Sequence, residues 1–328
     1  MGAGSTLARM SITSLSTPLS GADIAAWHRT VTEAQSHDLP AGVPVQGPAE
    51  TAGRLRIGAM RGRATHRVAG DFDGVASVLL SDEPGNEHTA FLDVLAVRPA
   101  ARRRGVGSAL WAAVREELAA DGRTAVSVMV EPDGPGERFA RSLGFEVALP
   151  LAWYVQEVAA ESPVPQLPDG YRLVAWPGVV PDAYAEGSAV AHGAMGDAPM
   201  GDVEEQAPSW TAEQVRAVAR IVLDRGGRIL TVAALDGDGV MAAYTELVLR
   251  DPGDVRALQY DTVVVPGHRG KGLGRAVKLR MLEEVRRAEP GVRQIGTTVA
   301  DDNGPMRVVN EGLGYVRERG LAVYQLKL

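Results

Sequence analysis

Two short basic segments that contain glycine are the parts of this chain best suited to chemistry. They read Arg102-Arg-Arg-Gly-Val-Gly107 and Arg269-Gly-Lys-Gly-Leu-Gly274, and an apolar-periodic stretch follows each of them. Helix N-termini carry unpaired N–H groups and a partial positive charge of about half an elementary unit. Glycine lets an anion approach the backbone closely, and arginine adds charge-assisted hydrogen bonds. The pattern predicts two phosphate-binding loops, each at the start of a helix.

The loops match neither of two common phosphate-binding motifs. A P-loop needs Lys and then Ser or Thr after its last glycine, but Leu273 follows Gly272. The dinucleotide fingerprint needs a third glycine, where the two copies have Leu110 and Val277. For one copy taken alone, a tight turn with solvated basic residues is the alternative interpretation.

The two loops belong to an internal repeat. Pro99 and Pro266, which precede them, are 167 residues apart. Every fourth residue after each loop is apolar, which indicates one buried helix face: Val106, Leu110, Val114 and Leu118, then Leu273, Val277, Met281 and Val285. A second pair of matching segments, 143–145 and 313–315, reads Leu-Gly-Phe and Leu-Gly-Tyr. We interpret the chain as a tandem duplication.

Around the loops, the sequence predicts an α/β fold, with a mixed sheet and helices on both of its faces. We expect a first half over 10–160, a proline-rich linker over 161–169 and a second half over 170–328. Predicted helices, besides those after the loops, are 22–37, 182–192 and 211–225. Predicted strands are 65–70, 75–80, 89–97, 125–130, 171–176, 228–235, 240–249, 258–265 and 294–299.

Composition excludes several classes of protein. The 328 residues suit two domains of roughly 100–200 residues each. A net charge of −7 argues against nucleic-acid binding. Cysteine is absent, which excludes disulfides, thiolate metal sites and a cysteine nucleophile. No run of about 18 apolar residues indicates a membrane span. We expect a cytoplasmic protein, a monomer or homodimer, without nucleic-acid or membrane partners.

The two loops resemble the acyl-CoA-binding signature of the GNAT N-acetyltransferase superfamily, and the Leu-Gly-aromatic segments are also typical of it. The tandem layout is similar to that of mycothiol synthase and related two-domain actinobacterial acetyltransferases. The resemblance implies two GNAT-like domains, each with a mixed, mostly antiparallel sheet and a cleft between two splayed parallel strands. It implies direct transfer of acetyl from acetyl-CoA, without a metal, to a primary amine in a ternary complex.

The same resemblance implies the acetyl-CoA contacts. Backbone N–H groups near Val264 and Val265 would polarise the thioester carbonyl. The implied contacts in the second half are Val264, Val265, Arg269, Gly270, Lys271, Gly272, Leu273, Gly274 and Asn303. Those in the first half are Val97, Arg102, Arg103, Arg104, Gly105, Val106 and Gly107.

Two carboxylates of the second half are candidates for the general base. Alkylammonium groups have pKa values near 10, so a base helps an amine to attack at neutral pH. Asp261 lies on the strand before the loop, and Glu246 lies on the preceding strand. Asp93 of the first half is shifted by one residue relative to Asp261, which turns its side chain to the other face. For each acid the alternative is a solvated charge or an ion pair.

The general acid is harder to assign. Many GNAT enzymes place a tyrosine three residues before the Leu-Gly-aromatic segment, where this chain has Asn310 and Ala140. Asn310 is therefore the candidate hydrogen-bond donor to the leaving thiolate, with water as the alternative. We expect the second half to be catalytic and the first half to bind acetyl-CoA without turnover. The opposite assignment remains open.

We expect the acceptor pocket in the loop from His192 to Asp202. Asp197 and Asp202 would attract a cationic amine there, although a solvated connecting loop is the alternative. We expect His268 to neighbour the phosphate. The predicted function is acetylation of a small polar metabolite or antibiotic. The alternatives are a non-catalytic acyl-CoA sensor and a protein or peptide N-acetyltransferase.

Overall fold

The computed structural model describes residues 11–16, 18–159 and 163–328. Over these residues the chain forms one continuous sheet of 12 strands. The strands of the first half are β1 (Ile12–Ser14), β2 (Gly62–Ala69), β3 (Gly74–Ser81), β4 (Thr89–Val97), β5 (Ala125–Val130) and β6 (Glu146–Glu157). Those of the second half are β7 (Arg172–Pro177), β8 (Arg228–Leu235), β9 (Met241–Leu249), β10 (Arg256–Val264), β11 (Gln294–Ala300) and β12 (Val316–Lys327).

Eight α-helices flank the sheet in the described ranges. They are α1 (Gly21–Asp38), α2 (Pro48–Arg56), α3 (Val106–Ala120), α4 (Pro135–Ser142), α5 (Asp182–Gly193), α6 (Ala212–Asp224), α7 (Leu273–Ala288) and α8 (Gly304–Glu311). All the strands and helices predicted from the sequence are present, with ends shifted by up to three residues. The predictions did not include β1, α2, α4, β6, α8 or β12.

The order of the strands is β1-β2-β3-β4-β5-β12-β6-β11-β10-β9-β8-β7. Among the described residues, β4–β5 and β10–β11 are the parallel neighbours, and the other pairs are antiparallel. This confirms the mixed, mostly antiparallel sheet. Since one sheet runs through both halves, however, they are not independently closed units, and the boundaries at 160 and 170 stay a prediction.

The last strand of each half crosses to the other half. β12 pairs with β5 of the first half, and β6 pairs with β11 of the second. The two exchanged strands also pair with each other, with Leu151 opposite Leu321. These leucines are equivalent positions of the repeat, so a local twofold axis passes between them.

Helices pack on both faces of the sheet, as the sequence predicts. In the second half, α7 buries Leu273, Val277, Met281 and Val285 against one face. The helices α5 and α6 contribute to a separate core with Val263 and Tyr244. Thr211 caps α6 through a reciprocal capping box with Gln214. In the described part of the chain, no helix is both long and apolar enough to cross a membrane.

Candidate active site

The loop before α7 has the backbone of an anion cradle. Gly270 and Gly272 have φ angles of +77° and +76°, which L side chains rarely adopt. Gly272 is the N-cap of α7, and no side chain caps this helix end. The first turn of α7 also contains no acidic residue. Its first N–H groups are therefore available to an anion without competition from capping side chains.

The basic side chains of this loop are held in place by neighbouring elements. Arg269 donates from Nε to the Val264 carbonyl at 3.0 Å, and its Nη2 lies 2.6 Å from Asp197. Lys271 donates to the Tyr171 hydroxyl at 2.8 Å. The same hydroxyl lies 2.8 Å from Nδ1 of His268. The loop thus presents an ordered set of cations beside the helix N-terminus.

The loop before α3 repeats this arrangement. Gly105 is the N-cap of α3 with φ +83° and no side-chain cap. Arg102 donates to the Val97 carbonyl at 3.0 Å and pairs with Asp38 at 2.7 Å. Arg103 occupies the position of Gly270 and has φ +61°, although it carries a side chain. The structure therefore builds two similar loops.

A cleft opens between the two parallel strands of each half. β10 pairs with β11 only over Arg256–Leu258, and β4 pairs with β5 only over Thr89–Phe91. Beyond these residues the strands separate toward the glycine loops. The N–H of Val265 is already bonded to the Ala242 carbonyl at 2.9 Å, so it is not free to polarise a thioester carbonyl. Since the N–H groups of consecutive residues in a strand point to opposite neighbours, that of Val264 points into the cleft.

Beside the β10 cleft, three titratable side chains of the second half come together. Nε2 of His192 lies 3.7 Å from Oε1 of Glu246. One ligand atom from each of His192, Glu246 and Asp261 lies within 4.8 Å of the others, a spacing that a divalent cation could also use. Tyr244 donates to the Asp261 carboxylate at 3.2 Å and stacks on the His192 ring at 4.4 Å.

Backbone and burial set the protonation of this cluster. The register of β10 against β9 shifts between Gln259 and Thr262, so Asp261 lies in an irregular segment. Burial and then the Glu246 charge raise the pKa of Asp261 to about 6. His192 donates from Nδ1 to the Ser188 carbonyl at 2.7 Å, so Nε2 faces Glu246. Burial alone would lower the pKa of His192, but hydrogen bonding and the charge of Glu246 raise it.

With this geometry established, comparisons with known proteins become informative. The sequence profile of the acetyltransferase (GNAT) family matches residues 35–145 and 198–315. The chain belongs to this family. It is an acetyltransferase, and the two matched regions confirm the tandem layout.

Among curated proteins, the chain is 32% identical over 232 residues to a mycothiol acetyltransferase of Geodermatophilus obscurus, covering 68% of this chain and 70% of that one. It is 31% identical over 283 residues to a mycothiol acetyltransferase of Actinosynnema mirum, covering 83% of this chain and 86% of the relative.

Among solved structures, a tandem GNAT protein from the clavulanic acid biosynthesis pathway superposes with a TM-score of 0.81 at 27% identity, covering 97% of this chain and 98% of the other. A GCN5-related N-acetyltransferase from Sphaerobacter thermophilus shares the fold, with a TM-score of 0.72 at 16% identity over 97% of this chain and 96% of its own.

The two GNAT halves differ at the position of the acid–base cluster. Strand register places Ser77 and Val94 of the first half where the second half has Glu246 and Asp261. Asp93 is one residue away from that position, as the sequence predicts, and forms an ion pair with Arg54 at 2.5 Å. Neither equivalent residue of the first half carries a carboxylate.

Two asparagines of the second GNAT half have different surroundings. Asn303 caps α8, since its side-chain oxygen accepts from the Met306 N–H at 3.2 Å. Its side-chain nitrogen makes no hydrogen bond within the described residues. Asn310 is only 1% exposed, yet neither its side-chain oxygen nor its nitrogen has a partner among the described residues. A buried amide without partners costs about 1–3 kcal/mol per group, so Asn310 favours a bound ligand in this region.

The two aspartates predicted in the acceptor loop have different environments. The carboxylate of Asp197 is paired with Arg269, and its short 3-10 helix (Ala194–Asp197) lies against β10. Asp202 is held through its backbone, because its N–H donates to the Ala148 carbonyl of β6 at 2.9 Å. The structure therefore joins Asp197 to the loop before α7 and anchors Asp202 on an exchanged strand.

His192 is the site residue that the sequence analysis missed. In the sequence it is considered only as the start of the acceptor loop. A signal was present, because Ala185, Ser188, Ala189 and His192 share the buried face of α5. A histidine on the buried face of a helix needs a polar partner, which here is Glu246.

Proposed function

We propose that the second half transfers the acetyl group of acetyl-CoA to the primary amine of a small polar molecule. The observation that carries this proposal is the position of Asp261. This carboxylate, with a pKa of about 6, lies on the strand that leads into the anion-binding loop. A base of that pKa is ionised at neutral pH and can therefore accept a proton as the amine attacks.

The residues of the loop fit the phosphates of coenzyme A. The N–H groups at the start of α7 have no side-chain cap, and Arg269 and Lys271 supply the charge. Gly274 lies against Val264, where an added Cβ would be 3.4 Å from a methyl group of that side chain. Acetyl-CoA supplies the thioester whose carbonyl carbon is attacked.

The chain's own residues perform the remaining steps. Asp261 accepts the proton that the acceptor ammonium must lose. The neighbouring Glu246 and His192 adjust the pKa of Asp261 in opposite directions. The N–H of Val264 polarises the thioester carbonyl. As the new C–N bond forms, the C–S bond breaks and the electron pair leaves on sulfur, while the second proton of the attacking nitrogen passes to solvent. The amide of Asn310 donates a hydrogen bond to that thiolate, and solvent supplies the proton it takes up.

The acceptor is a cationic amine of small size. Glu246 and Asp261 give the cluster a net negative charge even when His192 is protonated, which attracts an ammonium group. Asp197 and Asp202 add negative charge on the adjoining loop. Curated relatives are named mycothiol acetyltransferases. The amine whose acetylation gives mycothiol is therefore the first acceptor to test.

We further propose that the first half binds acetyl-CoA without turnover. Its loop has the same arginine and left-handed glycine as the second, namely Arg102 and Gly105. It lacks the carboxylates opposite the cleft, and Ala140 replaces Asn310. These two features support binding without the proton transfer that acetylation needs.

The test is thiol release from acetyl-CoA with a panel of amines and peptides, in two matched variants. Gly274→Glu puts a carboxylate into the second cradle and is expected to abolish turnover, at least a hundredfold. Gly107→Glu does the same in the first half, where the Cβ also lies 3.4 Å from its nearest neighbour, Phe139. We expect it to remove one equivalent of acetyl-CoA binding and leave most of the turnover.

The reverse result would assign catalysis to the first half. If none of the amines or peptides supports thiol release while acetyl-CoA still binds, the protein is instead an acyl-CoA sensor. Acetylation of peptides in preference to small amines would overturn the proposed acceptor class.

A further inference from the structure

A cavity of about 150 Å³ lies in the first half, at the counterpart of the acid–base cluster. Its lining includes Ser77 and Val94, which occupy the register positions of Glu246 and Asp261. The proposed reaction does not use this cavity. Its lining chemistry also differs, because it contains two arginines, Arg54 and Arg225, beside a single carboxylate, Asp93.

One of these arginines comes from the second half. Arg225, at the C-terminal end of α6, donates from Nε and Nη2 to the Ile57 carbonyl, and Nη2 also reaches the Gly58 carbonyl at 3.0 Å. In the described part of the chain it forms no ion pair, and its Nη1 makes no hydrogen bond. A partly buried guanidinium without a carboxylate is costly, so an anion in the cavity would stabilise it.

The second arginine of the cavity is already neutralised. Arg54 binds both oxygens of Asp93, at 2.5 and 2.6 Å. The remaining positive charge of the cavity is therefore that of Arg225. With one uncompensated positive charge, the cavity suits a ligand that carries a single negative charge. Asp93 would repel a dianion such as phosphate.

A histidine adds an unsatisfied polar atom to the same lining. His66 is 7% exposed, and its Nδ1 has no hydrogen-bond partner among the described residues. Burial lowers the pKa of His66 and Asp93 opposes this, so the ring is neutral near pH 7. A neutral imidazole nitrogen can donate to or accept from a polar group of a ligand, depending on its tautomer.

We propose that this cavity binds a small monocarboxylate, whose carboxylate contacts Arg225 and whose neighbouring polar group contacts His66. A cavity of this volume holds a ligand about the size of benzene, which corresponds to about six non-hydrogen atoms. Nε and Nη2 of Arg225 are occupied by backbone carbonyls, so Nη1 is the atom that can donate charge-assisted hydrogen bonds to a carboxylate. The two equivalent positions of the repeat thus select ligands of opposite charge, an amine in one half and a carboxylate in the other.

The test is calorimetric titration of the full-length protein, without acetyl-CoA or amine, with three probes of similar size. Lactate carries a carboxylate and a hydroxyl, propionate lacks the hydroxyl, and lactamide lacks the charge. We expect lactate to bind at least tenfold more tightly than lactamide and several-fold more tightly than propionate. His66→Phe is expected to remove the difference between lactate and propionate.

Two variants locate the site. Arg225→Gln is expected to weaken lactate binding at least tenfold, whereas Arg228→Gln, a nearby arginine that pairs with Glu289, should have no effect. Ala64→Leu fills the cavity while keeping both arginines, and we expect it to abolish binding even if Arg225→Gln disturbs the fold. The proposal is overturned if wild type binds none of the carboxylates, binds lactamide or inorganic phosphate as tightly as lactate, or retains lactate binding in Ala64→Leu. None of these outcomes depends on catalysis by the second half.

Discussion

At the scale of single residues, the second half concentrates its acid–base groups around Asp261. Its carboxylate accepts a hydrogen bond from Tyr244 and lies near Glu246 and His192. Repulsion from Glu246 adds to burial in raising the pKa of Asp261, whereas His192 and Tyr244 oppose the shift. A carboxylate poised in this way acts as a base close to neutral pH, which an isolated surface aspartate would do less effectively.

We expect kcat/KM to fall as the pH drops through about 6, because protonated Asp261 cannot accept a proton. Asp261→Asn should lower kcat by about 10²–10⁴-fold and remove this limb of the profile. The measurement is the pH dependence of thiol release, with the exposed Glu213→Gln as the control. An unchanged profile in Asp261→Asn would show that another group is the base.

The same pKa predicts the effect of Asp261 on stability. A carboxyl whose pKa is higher in the folded than in the unfolded state makes folding less favourable as the pH rises from about 4 to about 6. At pH 7, Asp261→Asn should therefore unfold at a temperature no lower than that of wild type. A clear loss of thermal stability in a melting experiment would contradict this prediction.

Removing metal ions tests whether the cluster of His192, Glu246 and Asp261 acts in proton transfer or as a metal site. Since Asp261 must accept a proton, a cation bound to His192, Glu246 and Asp261 would block it. We expect EDTA to leave thiol release unchanged and added Zn²⁺ to inhibit it. Loss of activity in EDTA, restored by a divalent cation, would identify the cluster as a metal site.

At the scale of secondary-structure elements, α2 joins the first half to the second. Glu50 pairs with Arg250 at 3.0 Å, and the Ala49 N–H donates to Asp251 at 3.0 Å. Gly53 lies directly on the backbone of Arg225, where a Cβ would be 2.4 Å from the carbonyl oxygen. Only glycine permits this approach, so α2 also fixes the arginine that lines the first-half cavity.

We expect Gly53→Ala to lower the free energy of unfolding by about 1–3 kcal/mol, because α2 must move away from Arg225. At an exposed position inside a helix, a Gly→Ala substitution would instead raise the free energy of unfolding, because alanine is favoured over glycine there by about 1 kcal/mol. Gly58→Ala is the control, because nothing lies within 4 Å of its Cβ. Denaturant unfolding of both variants gives the comparison, and a stabilised Gly53→Ala would show that the contact is not tight.

At the scale of the whole molecule, the exchanged strands make each half depend on the other. β6 lies between β12 and β11, and β12 lies between β5 and β6. A half without its partner exposes the edge of β5 or β11 and leaves its own last strand without a ladder. Unpaired edges of this kind favour association with another chain.

We therefore expect residues 163–328, expressed alone, to form a dimer or aggregate rather than a monomer. Two copies can repeat the exchange, with β12 of each copy beside β11 of the other. Size-exclusion chromatography with light scattering measures the mass, and co-expression with residues 1–159 should restore a one-to-one complex. A stable monomer of 163–328 would show that β12 can fold back onto its own half.

The amino-acid sequence alone determined the repeat, the two loops and the helices that follow them, because these depend on residues close together in the chain. One apolar face of α7 follows from the spacing of its own residues, namely Leu273, Val277, Met281 and Val285. The sequence also showed that Asp93 is not equivalent to Asp261, since a one-residue shift along a strand turns the side chain to the other face of the sheet. Positive φ angles and N-cap positions follow from glycine, so the anion cradles were predictable as well.

Only the tertiary structure decided which residues meet across the sheet. Pro150 argues against a central strand, yet β6 accommodates it because pairing with β11 ends at Leu151. His192 meets Glu246 because α5 packs on β9. Arg225 reaches the first-half cavity because α2 docks on the second half through Glu50 and Gly53. These contacts join residues tens to hundreds of positions apart, and their energies depend on packing that no local pattern encodes.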